Sequence, residues 1–185
     1  MSGQPLIKTE RLLLRPFEAQ DAPTVYRLVS DPEVLATLRR PDPYEEGMAA
    51  RWIATHPDKL ARGESVDFAI ALRGTGELIG AIGLVFQLPD ARASLGYWIG
   101  RARWGNGYAT EAARAVLAYG FEEVNLHRVE ASHMARNPAS GQVMRKLGMV
   151  REGRLRQHVV KRGAFEDVEV YGILRYEFRA GPRPA

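Results

Sequence analysis

The sequence contains no cysteine, which excludes disulfide bonds, thiolate catalysis and cysteine-based metal sites. No apolar run approaches the ~18 residues that predict a membrane span. The first residues, MSGQPLIKTERLLLRP, lack the basic start, apolar core and cleavage site of a signal peptide. We therefore expect a cytoplasmic protein that holds no metal and does not bind a membrane.

Positive charge is in modest excess and is not concentrated in one stretch. The formal net charge is +4, which would suit a polyanionic partner. The arginines are scattered along the chain, however, a pattern typical of a mixed solvated surface and not of a nucleic-acid-binding stripe. We expect no nucleic-acid partner.

The N-terminal third mixes strand and helix signals. Its composition, 45% hydrophobic in 185 residues, fits one domain with a full core. The apolar run RLLLRPF (11–17) predicts a first strand, and Pro23 marks the start of a helix. The proline- and charge-rich segment 31–46 predicts irregular structure. A second helical pattern, 48–53, ends before Pro57.

The central part alternates strands with one long helix. Two apolar runs, 66–72 and 78–88, flank the turn RGTGE and predict an antiparallel hairpin. A further strand is predicted over 93–100, a helix over 108–124 and a strand over 127–134. Strand, helix and strand form a βαβ unit with a right-handed crossover and parallel strands.

The C-terminal part predicts one short helix and a hairpin. Asn137 can cap a helix that begins with Pro138 and ends at Gly148. Two strands follow, joined near 161–163. We expect a single α/β domain (α+β) over 1–178, with a mixed, mostly antiparallel sheet flanked by helices, and a disordered tail over 179–185.

The stretch WGNGYAT (104–110) places two glycines directly before the long helix. A helix N-terminus offers free N–H groups and a positive dipole end, and Gly105 and Gly107 would let an anion approach the backbone. Arg101 and Arg103 could reach phosphate oxygens. From spacing alone, phosphate binding and a plain connector remain equal alternatives. The nucleoside-triphosphate loop GxxxxGK[ST] is absent, and a dinucleotide fingerprint would need glycine where Thr110 stands.

Six segments, taken in order, resemble one family. They are TERLLLRPF, LIGAIGL, LGYWIG, WGNGYATEA, NPASGQVMRKLGM and REGRLR, and the resemblance extends from Thr9 to about Phe178. The sequence is similar to the GNAT superfamily of N-acetyltransferases, above all to the RimJ/RimL-like branch that acetylates amino termini of ribosomal proteins. The resemblance implies a GNAT-type fold with a central βαβ coenzyme-binding unit, and acetyl-CoA as co-substrate.

The resemblance also implies which residues bind the coenzyme. Backbone groups of 98–100 would pair with the pantetheine arm, and the glycine loop would hold the pyrophosphate. Trp104 stands where the family has Gln or Arg, so we expect it to pack on the coenzyme or the helix while Arg101 or Arg103 supplies charge. The implied set is Trp98, Ile99, Gly100, Arg103, Trp104, Gly105, Asn106, Gly107, Tyr108, Ala109, Thr110, Asn137, Ser140 and Met144. Asn137 can equally be a helix cap, Met144 a core residue, and Tyr97 and Trp98 one core and one surface aromatic.

The implied reaction is direct attack of a neutral amine on acetyl-CoA, with Ser140 as the candidate acid for the departing thiolate. A base is harder to name, because Ser94 and Val159 stand where family members often carry glutamate. His133, His158 and Glu130 are candidate bases, each of which can equally be structural.

The acceptor follows from proton energetics. An α-amino group of pKa about 7.7–8 costs roughly 1–1.4 kcal/mol to deprotonate at pH 7, whereas lysine costs roughly 4.6 kcal/mol. Without an obvious carboxylate base, a protein or peptide N-terminal amine is favoured. The alternatives are a small-molecule amine, such as an antibiotic, polyamine or amino-acid-like compound, and a non-catalytic acyl-CoA-binding domain. Carboxylates at Asp31, Glu33, Asp42, Glu45 and Glu46 could attract a cationic acceptor, although exposed carboxylates are ordinary. Relatives often form a homodimer, which is the candidate assembly.

Overall fold

The computed structural model describes residues 4–178; the predicted tail 179–185 lies outside them. The strands are β1 (Ile7–Lys8), β2 (Leu12–Arg15), β3 (Ser65–Leu72), β4 (Leu78–Gln87), β5 (Arg92–Ile99), β6 (Arg128–Met134), β7 (Val150–Lys161) and β8 (Ala164–Leu174). The α-helices are α1 (Ala22–Val29), α2 (Pro32–Thr37), α3 (Met48–Ala54), α4 (His56–Ala61), α5 (Tyr108–Glu122) and α6 (Pro138–Lys146). Within residues 4–178, no helix has the length and apolar character needed to cross a membrane.

The strands form one sheet in the order β1-β2-β3-β4-β5-β6-β8-β7. Neighbours are antiparallel except β5 and β6, which α5 connects and which run parallel. The predicted fold class, a mixed and mostly antiparallel sheet with helices, is confirmed, as is the βαβ unit.

The two faces of the sheet carry separate cores. Side chains alternate between faces along a strand, so Phe68 and Ile82 pack with the buried stripe of α5, which includes Val116 and Leu117. The opposite face places Trp98 in a second core against α1, α2 and α3. We call these the α5 face and the α3 face. The predicted split of Tyr97 and Trp98 between opposite faces is confirmed.

Segment 31–46, predicted as irregular, contains the helix α2. Asp31 accepts hydrogen bonds at Oδ1 from the N–H groups of Glu33 (2.9 Å) and Val34 (3.3 Å). Pro32 occupies the first helical position. Asp31 and Pro32 therefore start a new helix directly after α1. Pro57 likewise lies in the first turn of α4, directly after α3.

The strands β5 and β6 separate near their C-terminal ends. Their register runs from Arg92↔Arg128 to Leu95↔Ala131 and ends there, although both strands continue, β5 to Ile99 and β6 to Met134. The space between the ends of β5 and β6 is called the opening below. A parallel pair that separates leaves backbone groups on its facing edges free for another chain or ligand.

Candidate active site

A cavity of about 710 Å³ occupies the opening. Its lining includes Asp67, Gly96 and Ser132 from the α3 face and Tyr97 and His133 from the α5 face. Because both faces contribute, the cavity passes through the sheet.

Most of the predicted site residues line this cavity. Gly100, Asn106 and His158 do not. Gly100 is packed in the core beside Leu28, and His158 is exposed on β7, so the structure does not bring this candidate base to the opening. The predicted residues that line the cavity are Trp98, Ile99, Arg103, Trp104, Gly105, Gly107, Tyr108, Ala109, Thr110, His133, Asn137, Ser140 and Met144.

The glycine loop is shaped for an anion. Gly105 and Gly107 have φ angles of +76° and +79°, the left-handed region that favours glycine. Gly107 ends the loop, and the first intrahelical bond of α5 runs from Glu111 N–H to Gly107 C=O at 3.0 Å. The N–H groups of 108–110 precede that bond and have no partner within the helix. A phosphate group suits this cradle.

A clamp from the other end of the chain holds the loop. Glu111 accepts hydrogen bonds at Oε1 from Thr9 Oγ1 (2.6 Å) and Arg11 N–H (2.8 Å). Its Oε2 accepts one from Arg11 Nε at 2.7 Å. Arg11 also donates to Asn106 C=O at 3.0 Å and lies over the Tyr108 ring at 4.7 Å. The sequence of TERLLLRPF predicts a strand but not this contact, because Glu111 lies 100 residues from Arg11.

The arginines expected to supply charge are already paired. Arg103 is bound to Glu77 at 2.5 Å and Arg101 to Glu33 at 2.7 Å. Trp104 donates its indole N–H to Ile99 C=O at 2.7 Å, so it packs back on the end of β5. An anion at this loop would therefore be held by backbone N–H groups more than by these two guanidinium groups.

Strand alternation decides which backbone groups face the opening. Gly100 N–H donates to Ile79 C=O on β4 at 2.8 Å, and Trp98 shares that side because hydrogen-bonding direction alternates along a strand. The backbone groups of Tyr97 and Ile99 point the other way, into the opening. Of the three residues expected to pair with pantetheine, only Ile99 faces it; Tyr97 was missed.

Tyr97 and Ser140 form a hydroxyl pair across the cavity. Tyr97 Oη lies 2.8 Å from Ser140 Oγ and 3.2 Å from Ser140 C=O. Burial raises the pKa of Tyr97 to about 12, against the opposing hydrogen bond from Ser140, so the phenol is neutral. Asn137 caps α6 by accepting from Ser140 N–H at 3.4 Å, which fixes the turn that presents Ser140.

Of the three candidate bases, His133 alone lines the cavity. Its Nδ1 lies 2.8 Å from Met134 C=O, and a carbonyl only accepts, so Nδ1 carries the proton. In the neutral ring Nε2 then holds a lone pair. It is buried without a hydrogen-bond partner among the described residues and faces Gly141. Glu130 instead accepts from Ser94 Oγ at 3.0 Å.

The charges beside the α3 face differ from those considered in the sequence. None of the five carboxylates at 31, 33, 42, 45 and 46 lines the cavity; Arg39, Arg40 and Asp67 do. Asp42 is paired with Arg162 at 2.5 Å. Within residues 4–178, no three His, Asp or Glu side chains come together as metal ligands.

Comparison with known proteins places this chain among acetyltransferases. Residues 11–150 match the model of the acetyltransferase (GNAT) domain family. The chain is 33% identical over 171 residues to p20, an uncharacterized N-acetyltransferase of Bacillus licheniformis, covering 92% of this chain and 96% of p20.

Two solved structures show the same architecture. A GNAT-family acetyltransferase from Bacillus anthracis superposes with a TM-score of 0.84 at 30% identity, covering 94% of this chain and 100% of that one. RimJ of Mycobacterium smegmatis, in complex with a coenzyme A disulfide, superposes with a TM-score of 0.80 at 27% identity, covering 90% and 83%.

Proposed function

The chain belongs to the GNAT acetyltransferase family and is an acetyl-CoA-dependent N-acetyltransferase, and we propose that its acceptor is the N-terminal α-amino group of a protein or peptide. The observation that carries the proposal is the cavity through the sheet. Its α5 side offers the phosphate cradle, and its α3 side is open to a second substrate. Both substrates can therefore meet at the opening without a covalent enzyme intermediate.

The lining fits the coenzyme. The backbone N–H groups of 108–110 suit its pyrophosphate. On the edge of β5, the backbone of Tyr97 and the N–H of Ile99, whose carbonyl already accepts from Trp104, suit the amides of its pantetheine arm, which would be costly to bury unpaired. When bound, acetyl-CoA supplies an activated acetyl thioester whose sulfur leaves as a thiolate.

The side chains at the opening supply proton transfer. The Ser140 hydroxyl can donate to the departing sulfur while Tyr97 donates to Ser140 Oγ, which stabilises negative charge that develops there. The amine nitrogen forms the new bond to the acetyl carbon, and the carbon–sulfur bond breaks with its electron pair on sulfur. Ser140 protonates that sulfur, and the proton that the amine loses passes through solvent and restores the Ser140 hydroxyl.

The proton that the amine must lose favours an α-amino group. His133 and Asp67 are the side chains in the described lining that could accept this proton. Neither stands at the β5 or β7 position where family members often carry glutamate. Deprotonating an α-amino group at pH 7 costs roughly 1–1.4 kcal/mol, against roughly 4.6 kcal/mol for lysine. A weakly assisted site therefore acts more readily on the former. The cytoplasmic location and the homodimer stay predictions of the sequence.

Two matched peptides test the acceptor class. One has a free N-terminus and no lysine; the other has the same sequence with a blocked N-terminus and one lysine. We expect kcat/KM, measured by release of free coenzyme A, to be at least about tenfold higher for the first, since the difference in deprotonation cost is roughly 3 kcal/mol. Faster acetylation of the lysine peptide would overturn the proposal.

Calorimetric titration with acetyl-CoA, with NAD as the comparison ligand, tests the coenzyme site separately. Binding of acetyl-CoA and not of NAD is the expected result. If acetyl-CoA binds but only a small-molecule amine is turned over, the enzyme class stands and the peptide acceptor does not.

A further inference from the structure

One carboxylate at the opening is left without a cation. Among the described residues, Asp67 contributes the sole carboxylate to the cavity lining and forms no ion pair. Ser65 Oγ donates to its Oδ2 at 3.0 Å. Its Oδ1 leans over the next strand, 2.8 Å from where a Cβ on Gly83 would lie.

Nearby His56 does not neutralise this carboxylate. Burial lowers the pKa of His56, although the charge of Asp67 acts in the opposite direction. Both ring nitrogens of His56 lack partners among residues 4–178. Near pH 7 the imidazole is therefore uncharged, and the negative charge of Asp67 remains available to a substrate.

Two glycines connect Asp67 to the opening. Asp67 pairs in register with Gly83, and Gly83 with Gly96. All three lie on the α3 face, and a Cβ added to Gly96 would meet only open space. Neighbouring strands are about 4.8 Å apart. The Asp67 carboxylate lies over Gly83 on β4, and β5 forms the edge of the opening. The carboxylate is therefore roughly one strand spacing from that edge. An ammonium group fits that interval.

A cation without a carboxylate partner lies on the other side of the opening. Arg39 is exposed, lines the cavity and donates to Ser132 Oγ at 3.3 Å. Ser132 belongs to the part of β6 that no longer pairs with β5. Among residues 4–178, Arg39 forms no ion pair, whereas the neighbouring Arg136 and Arg162 are bound to Glu166 and Asp42 at 2.7 and 2.5 Å.

We propose that the acceptor carries a carboxylate close to its reacting amine, and that Asp67 receives the amine while Arg39 receives the carboxylate. The inference rests on the proposed acetyl transfer and narrows its acceptor. A peptide that begins with an acidic residue, or an amino acid with a free carboxylate, presents both groups. A polyamine offers Arg39 no partner and meets repulsion from both Arg39 and Arg40, whose guanidinium lies over the Trp52 ring at 4.9 Å.

Two peptides that differ only by Asp or Asn at the first position, together with spermidine, test the inference. For the wild-type chain we expect kcat/KM to be at least tenfold higher with the Asp peptide than with the Asn peptide, and lowest with spermidine. Arg39→Gln should lower kcat/KM about tenfold for the Asp peptide alone, because the Asn peptide makes no ion pair. Asp67→Asn should lower it for both peptides, since both carry the amine.

Matched controls separate the outcomes. Arg62→Gln removes an exposed arginine that is paired with Glu64 and does not line the cavity, so it should change kcat/KM for neither peptide. The KM for acetyl-CoA should be unaltered in Arg39→Gln. Equal turnover of the Asp and Asn peptides by the wild type, or an equal loss on both in Arg39→Gln, would overturn the inference and leave acetyl transfer standing. Binding of acetyl-CoA without turnover of any amine would overturn the proposed function itself.

Discussion

Ser140 and Tyr97 show how a site is completed by a residue with no motif of its own. Ser140 belongs to a segment that resembles the family, whereas Tyr97 precedes Trp98 in a strand and has the sequence signature of a packing aromatic. The 2.8 Å contact between their oxygens joins β5 to the first turn of α6. The contact places the neutral hydroxyl of Tyr97, a hydrogen-bond donor, beside the opening.

Tyr97→Phe should lower kcat roughly 10- to 100-fold, because Ser140 loses its partner as the leaving group departs. Acetyl-CoA binding by calorimetry should be nearly unchanged. Burial raises the pKa of Tyr97 to about 12, so the phenol stays protonated and the wild-type pH–rate profile should show no loss from this group up to about pH 10. Combining the change with Ser140→Ala should cost little more than either alone; additive losses would mean that the two hydroxyls act separately.

Arg15 and Asp21 form an ion pair that stabilises the folded chain. Asp21 is buried and is bound to Arg15 at 2.7 Å. Burial by itself would raise the pKa of Asp21, but the hydrogen bonds from Arg15 and from Glu18 N–H outweigh it, and the pKa falls below its ordinary value. The ionised form is therefore favoured in the folded chain.

Asp21→Asn should lower the free energy of unfolding by about 3 kcal/mol at pH 7, because Arg15 is left without its counter-charge. A folded pKa below the unfolded one gives stability that is present above the unfolded value and is lost as the pH falls through the folded value. The difference between wild type and variant, measured by urea unfolding, should therefore shrink below about pH 4. Asp58→Asn, at an exposed carboxylate on α4, is the control; a pH-independent difference at position 21 would contradict the argument.

At the scale of elements, the start of α5 is held in place by the turn between β1 and β2. Glu111 accepts hydrogen bonds from Thr9 and Arg11, and Arg11 also donates one to the Asn106 carbonyl in the glycine loop. Burial acts to raise the pKa of Glu111, yet the bonds from Thr9 and Arg11 prevail and lower it. The clamp therefore aligns the free N–H groups of the helix with the loop that precedes them.

Glu111→Gln should raise the KM for acetyl-CoA about tenfold, since a displaced cradle loses contacts of roughly 1–1.5 kcal/mol. The kcat at saturating acetyl-CoA should change less than threefold. Glu123→Gln, at an exposed residue just beyond the other end of α5, is the matched control and should behave as wild type. If the Glu111 variant lost kcat and kept its KM, the clamp would not serve the coenzyme.

At the scale of the whole molecule, the sheet divides the cavity into two sides, one for each proposed substrate. The coenzyme cradle lies on the α5 face, and Asp67, Gly83 and Gly96 form the floor of the α3 face. The opening between β5 and β6 is the passage from one to the other. Changes on one face should accordingly leave binding on the other unaltered.

Gly96→Ala tests this separation. An added Cβ meets nothing within 4 Å, so the fold should be preserved while the floor becomes narrower. We expect the acceptor KM to rise roughly 3- to 10-fold, by the loss of about 1 kcal/mol of contact, with the KM for acetyl-CoA unchanged.

Gly83→Ala should affect stability, in contrast to Gly96→Ala. Its Cβ would lie 2.5 Å from Val66 C=O, so this variant should lose roughly 1–3 kcal/mol of stability by overpacking. Thermal melts distinguish the two glycines. A Gly96 variant whose acetyl-CoA affinity falls with its acceptor affinity would show that the faces are not independent.

Local chemistry along the chain determined much of this protein. Alternating apolar runs predicted β3, β4, β5 and the C-terminal hairpin, and the long apolar stripe predicted α5. Hydrophobic periods of 2 and 3.6 residues can be recognised in the sequence without knowing which elements pack against each other. The glycine loop and the Asn137 cap were equally readable, since each depends on neighbouring backbone alone. The wrong prediction at 31–46 has the same cause, because Asp-Pro is found both in irregular segments and at the start of a helix.

Only the tertiary structure decided how the site is assembled. The contacts of Glu111 with Arg11, of Tyr97 with Ser140 and of Arg39 with Ser132 span 100, 43 and 93 residues of chain. The pairing of Arg103 with Glu77 and the direction of the Tyr97 and Ile99 backbone likewise depend on which strand lies on each side. A sequence specifies which side chains a segment carries, but their partners are set by sheet order and register, which arise when the whole chain buries its two cores together.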